Sequence, residues 1–98
     1  MTRWQDMYVK WKSDRVITVH GTDSATIKWL FTETQKRDPK VKGLWFVDAE
    51  EVVHEVDLEL SRGHDSQTML PVLKRLLCDQ GWEPFATYGY YKRQIQPQ

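Results

Sequence analysis

The sequence predicts an α+β protein in which two helices pack on one face of an antiparallel sheet. Alternating apolar and polar residues, typical of half-buried strands, occur near the start of the chain and again over residues 52–60. Two other stretches, 24–37 and 68–80, carry apolar residues at helical spacing. Because each helix has an apolar face and only a sheet can cover it, one domain spanning residues 1–98 is expected.

The first element is predicted to be a β-hairpin. Residues 7–12 alternate, and a β-branched run over 16–19 follows the dipeptide Ser13-Asp14. This pattern favours two strands joined by a two-residue loop. In an alternative interpretation, residues 1–12 form a loose N-terminal arm.

The first helix is expected over residues 24–37. Thr22 or Ser24 can cap its N-terminus, and Pro39 prevents it from continuing. Its apolar face recurs at intervals of three and four residues, at Ile27, Leu30, Phe31 and Thr34.

The middle of the chain predicts two more strands. The short apolar run from 44 to 47 follows a glycine and is typical of a strand buried on both faces. After a turn at 48–51, residues 52–60 predict a half-buried strand, with His54 on its apolar face. Its outer face is acidic and is expected to be exposed, at Glu55, Asp57 and Glu59.

The second helix is expected over 68–80, with Thr68 as its cap, Pro71 in its first turn and Gly81 as the left-handed residue after its end. A closing hairpin, 82–87 and 90–95, then turns at Tyr88-Gly89, and 96–98 form a frayed tail. After the first strand, the elements begin with the β-α-β-β-α-β order of ferredoxin-like folds.

Residues 52–95 resemble a group of small bacterial domains of unknown function. The resemblance lies in the amphipathic helix, the triplet Gly81-Trp82-Glu83 and the aromatic-Lys-Arg pattern of 90–93. It implies half of a fold and no mechanism. Pro84 departs from the pattern and is expected to confine its segment to a sheet edge or a bulge.

No residue pattern predicts catalysis, a cofactor or a metal. The possible metal ligands His20, His54, His64 and Cys78 lack the spacing of a zinc site, although they could still meet in space. Cys78 lies late in a helix beside an aspartate, which is typical of a packing residue rather than a nucleophile. We therefore expect a protein that is not an enzyme.

Charge and composition limit the partners and the compartment. Lys plus Arg equals Asp plus Glu at 14 each, so a generally cationic nucleic-acid binder is disfavoured. Residues 45–60 nevertheless hold six acidic residues and no Lys or Arg. A single cysteine and apolar runs too short to cross a membrane favour a cytoplasmic protein without membrane contact.

The aromatic residues exceed what one small core can hide, and several lie beside Lys or Arg. The first interpretation is a non-enzymatic protein-interaction module that binds a protein or a second copy of itself as a homodimer. The alternative is a single-stranded nucleic-acid-binding domain, and a third possibility is that the rings cap the core. The first hairpin and the last strand are both candidates for a sheet edge, and together they would place Trp11, Lys12, Tyr91 and Arg93 on one surface. The candidate partner-binding residues are Trp11, Lys12, Glu55, Asp57, Glu59, Tyr91 and Arg93.

Overall fold

The fold was analysed in a computed structural model, which describes residues 3–86 and 89–95. Tyr88 of the predicted turn and the tail 96–98 lie outside the described residues. The elements follow in the order β1 (Arg3–Ser13), β2 (Val16–Gly21), α1 (Ser24–Arg37), β3 (Lys42–Val47), β4 (Val53–Glu59), α2 (Ser66–Asp79), β5 (Glu83–Pro84) and β6 (Tyr90–Ile95).

The strands form one antiparallel sheet in the order β3-β4-β2-β1-β6-β5. The predicted α+β class and element order are confirmed. The first hairpin and the last strand were candidates for a sheet edge, and this expectation is wrong. β1 pairs with β2 and β6, and β6 pairs in turn with β5, so the edges are β3 and β5. Because β1 is paired from Arg3 onward, the loose-arm alternative is also wrong.

Both helices pack on the same face of the sheet. α1 contacts β4 and β2, α2 contacts β1, β2 and β5, and the helices contact each other. The strand residues that point toward them form the core together with Leu30, Leu73 and Trp82. Most of them come from β1, β2 and β4, and they include Met7, Val9, Ile17, Val19, Val56 and Leu58. We call the opposite side of the sheet the open face, because neither helix packs on it.

The helix boundaries depend on local capping. α1 matches its expected range, although its N-cap is Asp23, whose carboxylate accepts a hydrogen bond from Thr26 Oγ1 at 2.6 Å. α2 begins two residues earlier than predicted, because Asp65 rather than Thr68 is the cap. The Asp65 side chain accepts the Thr68 backbone N–H at 2.8 Å. Pro71 therefore lies in the second turn rather than the first, on the exposed side of the helix.

β3 is an exposed edge strand, so the prediction of a strand buried on both faces is wrong. Every residue from Leu44 to Val47 is exposed, with relative accessibilities between 36% and 56%. β3 pairs with β4 alone, and α1 lies over β4 and β2. Phe31 of α1 contacts this strand from the helix layer, edge to face with Trp45 and with ring centroids 5.1 Å apart.

A register shift alters the predicted faces of β4. Phe46 pairs with Glu55, but Val47 pairs with Val53 rather than with His54, so the register shifts between Phe46 and Val47. As a result, Val53 is buried and His54 is exposed, opposite to what strict alternation predicts. Cys78, expected to pack against the core, is also exposed, because it points away from the sheet.

Truncating a buried leucine should destabilise the protein far more than truncating an exposed one. Leu73 of α2 is fully buried and Leu44 is 53% exposed. Leu73→Ala should lower the free energy of unfolding by about 2–5 kcal/mol. Leu44→Ala, the matched control, should change it by less than about 0.5 kcal/mol. Urea denaturation measures both, and equal effects would contradict the assigned core.

Candidate interaction surface

A row of six side chains crosses the open face from one sheet edge to the other. The strand registers align the first five of them, and Phe85, directly after β5, donates its backbone N–H to the carbonyl of Tyr90 at 2.9 Å. The row runs Phe46, Glu55, His20, Tyr8, Tyr90 and Phe85. Five of its six members are rings, so it is the main aromatic feature of this face.

The central rings of this row stack on one another. Tyr8 lies between His20 and Tyr90, with centroids 4.5 and 4.4 Å apart and planes within 5° of parallel. Phe85 meets Tyr90 edge to face at 5.9 Å. Because each face of the Tyr8 ring already contacts a neighbour, that ring offers no free face on which another ring could stack.

Hydrogen bonding and burial fix the protonation of this row. Tyr90 donates its hydroxyl to Asp6 Oδ1 at 2.7 Å, and this bond, followed by burial, raises the pKa of Tyr90 well above its usual range. Burial, together with the charge of Lys10, lowers the pKa of His20. The imidazole is therefore held neutral at physiological pH, which suits a ring stacked on a tyrosine.

Two lysines of the open face lie against these rings. Lys10 Nζ is 4.9 Å from the Tyr8 centroid. Lys92 Nζ is 4.6 Å from the Phe85 centroid and 5.7 Å from that of Tyr90. Both are cation–π contacts, so each ammonium is already engaged within the chain.

The acidic strip of β4 is not uniformly exposed. Asp57 is only 3% exposed, and its carboxylate accepts hydrogen bonds from Lys12 Nζ at 2.6 Å and Thr18 Oγ1 at 2.7 Å. The predicted exposure of Asp57 is therefore wrong, because side chains of β1 and β2 cover it. Glu55 is half-buried and Glu59 is exposed. Burial opposes ionisation of Asp57, but the two hydrogen bonds outweigh it and the pKa of Asp57 is lowered.

The charges of the open face nearly cancel. By the strand registers, the cations on this face are Lys10, Lys12, Lys42 and Lys92. The acids are Asp6, Glu55, Asp57, Glu59 and Glu83. A face with this balance has no long-range attraction for a polyanion.

The remaining candidate partner-binding residues do not form one surface. Trp11 is exposed and lies opposite Ile17, on the helix side of the sheet. Tyr91 is 5% exposed and belongs to the core. Arg93 lies over the Trp82 ring and bonds to Asp23, opposite Gln5 on β1. Trp11 is six residues after Gln5 on β1, so Trp11 and Arg93 lie about 20 Å apart along the sheet.

A further group of exposed apolar side chains lies at the β3 edge of the sheet. We call residues 44–47 of β3, with Val52 beside them, the β3 edge strip. All five are apolar and all are exposed: Leu44 53%, Trp45 36%, Phe46 43%, Val47 56% and Val52 39%. The sequence did not identify this surface, because a continuous apolar run is typical of a buried strand.

The three histidines do not converge. His20 is in the aromatic row, His54 bonds to Asp48 at 2.7 Å beside the β3–β4 turn, and His64 lies 3.9 Å from Asp38 near the start of α2. Within residues 3–86 and 89–95, no cluster of three or more His, Cys, Asp or Glu side chains could hold a metal ion.

Comparison with known protein families, with curated proteins and with solved structures finds no match to this chain. Neither described helix combines the length and the apolar composition that crossing a membrane requires.

Neutralising the buried Asp57 should lower the stability of the fold, whereas neutralising the exposed Glu59 should not. Asp57→Asn loses a charge-assisted hydrogen bond from Lys12 and should lower the free energy of unfolding by about 1–2 kcal/mol at neutral pH. Glu59→Gln is the matched control and should have almost no effect. Because the folded pKa of Asp57 is depressed, the difference should shrink as the pH falls below 3.8, the ordinary value, and through the folded pKa.

The aromatic row should make stability sensitive to mild acid. The pKa of His20 in the folded protein lies below 6.5. The stability that neutral His20 contributes is therefore present above pH 6.5 and is lost as the pH falls through the folded pKa. An NMR titration should place the His20 midpoint below that of free imidazole. His20→Gln should flatten the fall in melting temperature between about pH 7 and pH 5. An unchanged profile in this variant would contradict the assignment.

Proposed function

We propose that this chain is a non-enzymatic protein-interaction module that binds its partner through the β3 edge strip. The observation that carries this proposal is the exposure of four consecutive apolar residues of an edge strand, with a fifth, Val52, beside them. Apolar patches of this kind on the surface of a folded protein are typical of interaction sites.

An edge strand adds a second source of affinity. Among the described residues, the outer side of β3 faces no other strand, so its outward N–H and C=O groups are available to a further strand. Backbone hydrogen bonds give such a contact affinity, and the side chains of alternate residues give it specificity. Leu44 and Phe46 on one face, with Trp45 and Val47 on the other, supply those side chains.

The acidic and histidine groups support a role without catalysis. Asp57 bonds to Lys12 and Thr18, and Asp48 bonds to His54. Asp38 is buried and accepts the Ser61 backbone N–H at 2.7 Å and its hydroxyl. Burial opposes the charge of Asp38, but these bonds outweigh it and the pKa of Asp38 is lowered. Groups paired in this way serve structure rather than proton transfer.

Single-stranded nucleic acid is the second candidate, favoured by the two lysines that lie against the aromatic row. Binding of that kind uses free ring faces and a cationic groove. Here the central ring faces are occupied, and the charges around them nearly cancel. The protein partner is therefore the better supported of the two.

Paired double variants separate the two functions. Leu44→Lys with Phe46→Lys changes the β3 edge strip, and Lys10→Gln with Lys92→Gln changes the cations of the aromatic row. Each variant is first checked for a wild-type melting temperature. The full chain is then used to capture proteins from a nuclease-treated lysate, and to bind single-stranded oligonucleotides by fluorescence anisotropy.

The β3 variant should lose captured protein, including further copies of the chain itself, by roughly tenfold, while the lysine variant retains it. Neither the wild type nor either double variant should bind oligonucleotides. Salt-sensitive oligonucleotide binding that disappears in the lysine variant would instead establish the second candidate. Equal capture by wild type and the β3 variant would overturn the proposal.

A further inference from the structure

We propose that the partner seated on the β3 edge strip is a second copy of this chain, paired antiparallel through β3 about a two-fold axis at Trp45. This inference rests on the proposed function, because it uses the same surface. It joins the two sheets into one continuous sheet of twelve strands, six from each copy.

Symmetry restricts how two such strands can meet. A two-fold axis perpendicular to the sheet makes the two copies of β3 antiparallel and keeps each open face continuous with the other. Residues directly opposite one another must then point to the same face. The axis must therefore pass through a residue rather than between two residues, which leaves only a few registers to compare.

The register centred on Trp45 places apolar residues opposite apolar residues and a lysine opposite an aspartate. It places Leu44 opposite Phe46 of the second copy, and the axis repeats this apolar pair. It also places Lys42 opposite Asp48 of the second copy, again twice. By the register with β4, Lys42, Leu44 and Phe46 lie on the open face, and Asp48 directly follows the end of β3. Apolar and opposite-charge pairs of this kind stabilise adjoining antiparallel strands.

The neighbouring registers are poorer on the same grounds. An axis at Leu44 places Lys42 opposite Phe46, and an axis at Phe46 places Leu44 opposite Asp48. Each arrangement sets a charge against an apolar side chain twice. The self-complementarity of the strand is therefore specific to one register.

The helix side of the strand accommodates the same pairing. Gly43 lies beneath the Trp45 indole, where an added Cβ would come within 2.8 Å of Nε1. In the register centred on Trp45, Gly43 lies opposite Val47 of the second copy. Because Gly43 has no side chain, Val47 can approach the edge of the indole without a clash.

The two edges of the sheet differ in how they resist such pairing. β5 has only two residues, one of them Pro84, which has no N–H to donate. Short strands and prolines are common protections against edge-to-edge association. β3 has six residues and no proline, and Lys42 is its one charged residue. The unprotected edge is the one whose sequence is self-complementary.

The size of the contact predicts how tight the dimer is. One strand pair, with the side chains beside it, falls at the low end of interface sizes, below about 1,200 Å² in total. We therefore expect a dimer in equilibrium with monomer, whose population rises with concentration.

Single cysteines test both the dimer and its register. In a Cys78→Ser background, which removes the one native cysteine, Trp45→Cys places two thiols opposite each other at the axis. Cα atoms of opposite residues on antiparallel strands lie about 4.5–5.5 Å apart, within reach of a disulfide. Trp45→Cys should therefore form a covalent dimer under mild oxidation.

Leu44→Cys and Phe46→Cys should each cross-link poorly alone, because the two copies of each residue lie two positions out of register. An equal mixture of these two variants should cross-link efficiently. Phe85→Cys, similarly exposed near the other edge, is the matched control and should remain monomeric. Cross-linking of Leu44→Cys alone, with none of the mixture, would overturn the register.

Sedimentation of the unmodified chain gives an independent measurement that does not depend on Trp45→Cys folding. Wild type should dimerise with rising concentration, and Lys42→Glu should dimerise roughly tenfold more weakly, because it opposes two acids across each end of the pair. Lys28→Glu, on the exposed side of α1, should behave as wild type.

A chain that stays monomeric at every concentration and in every cross-linking reaction would overturn this inference. If the wild type stayed monomeric but captured a different protein, and the Leu44→Lys, Phe46→Lys variant lost that capture, the proposed function would stand with another partner. A wild-type chain that showed neither self-association nor capture of any other protein would overturn both the dimer and the proposed function.

Discussion

The structure depends on the limited area that two helices can cover. Six strands spaced about 4.8 Å apart make a sheet almost 30 Å wide, whereas two packed helices span about 20 Å. The helix layer therefore lies over the central strands, and these supply most of the sheet's core residues. The outer strand β3 projects beyond α1, and Phe31 of α1 meets Trp45 of β3 edge to face. Its exposed apolar side chains follow from this geometry.

The open face has no covering layer, so its side chains must satisfy one another. The stack of His20, Tyr8 and Tyr90 hides the faces of the central rings, and the lysines beside them are held by cation–π contacts. Asp57 is shielded by Lys12 and Thr18 rather than exposed on an acidic strip. A face arranged in this way is stable in water, and for this reason we place the proposed partner surface at β3 rather than on the open face.

The sequence predicted the elements better than it predicted their surroundings. The range of α1 follows from its apolar stripe and the nearby Pro39, both of which are local signals. The start of α2 was missed because Asp65 and Thr68 are both good caps, and only the backbone geometry distinguishes them. The faces of β4 were misassigned at His54 because a register shift between strands leaves no local pattern.

The candidate site was harder to predict, because it depends on which strands become neighbours. Tyr91 and Arg93 were grouped with Trp11 on the expectation that their strands were sheet edges, whereas β1 and β6 are interior strands. The partners of Asp57 come from strands distant in sequence, so no spacing rule predicts its burial. Six strands and two helices were both expected from the sequence. A comparison of the width of the sheet with that of the helix layer could therefore have predicted an exposed outer strand such as β3.

The central claim is that the outer backbone of β3 is the surface that a second copy covers, and amide hydrogen exchange measures this directly. The outward-facing amides of residues 42–47 should exchange quickly in dilute protein and become protected as its concentration rises, while Glu83 in β5 does not change. Such protection confined to β3 would agree with the pairing proposed here. Exchange at β3 that is independent of concentration, or protection that rises at the β5 edge instead, would contradict it.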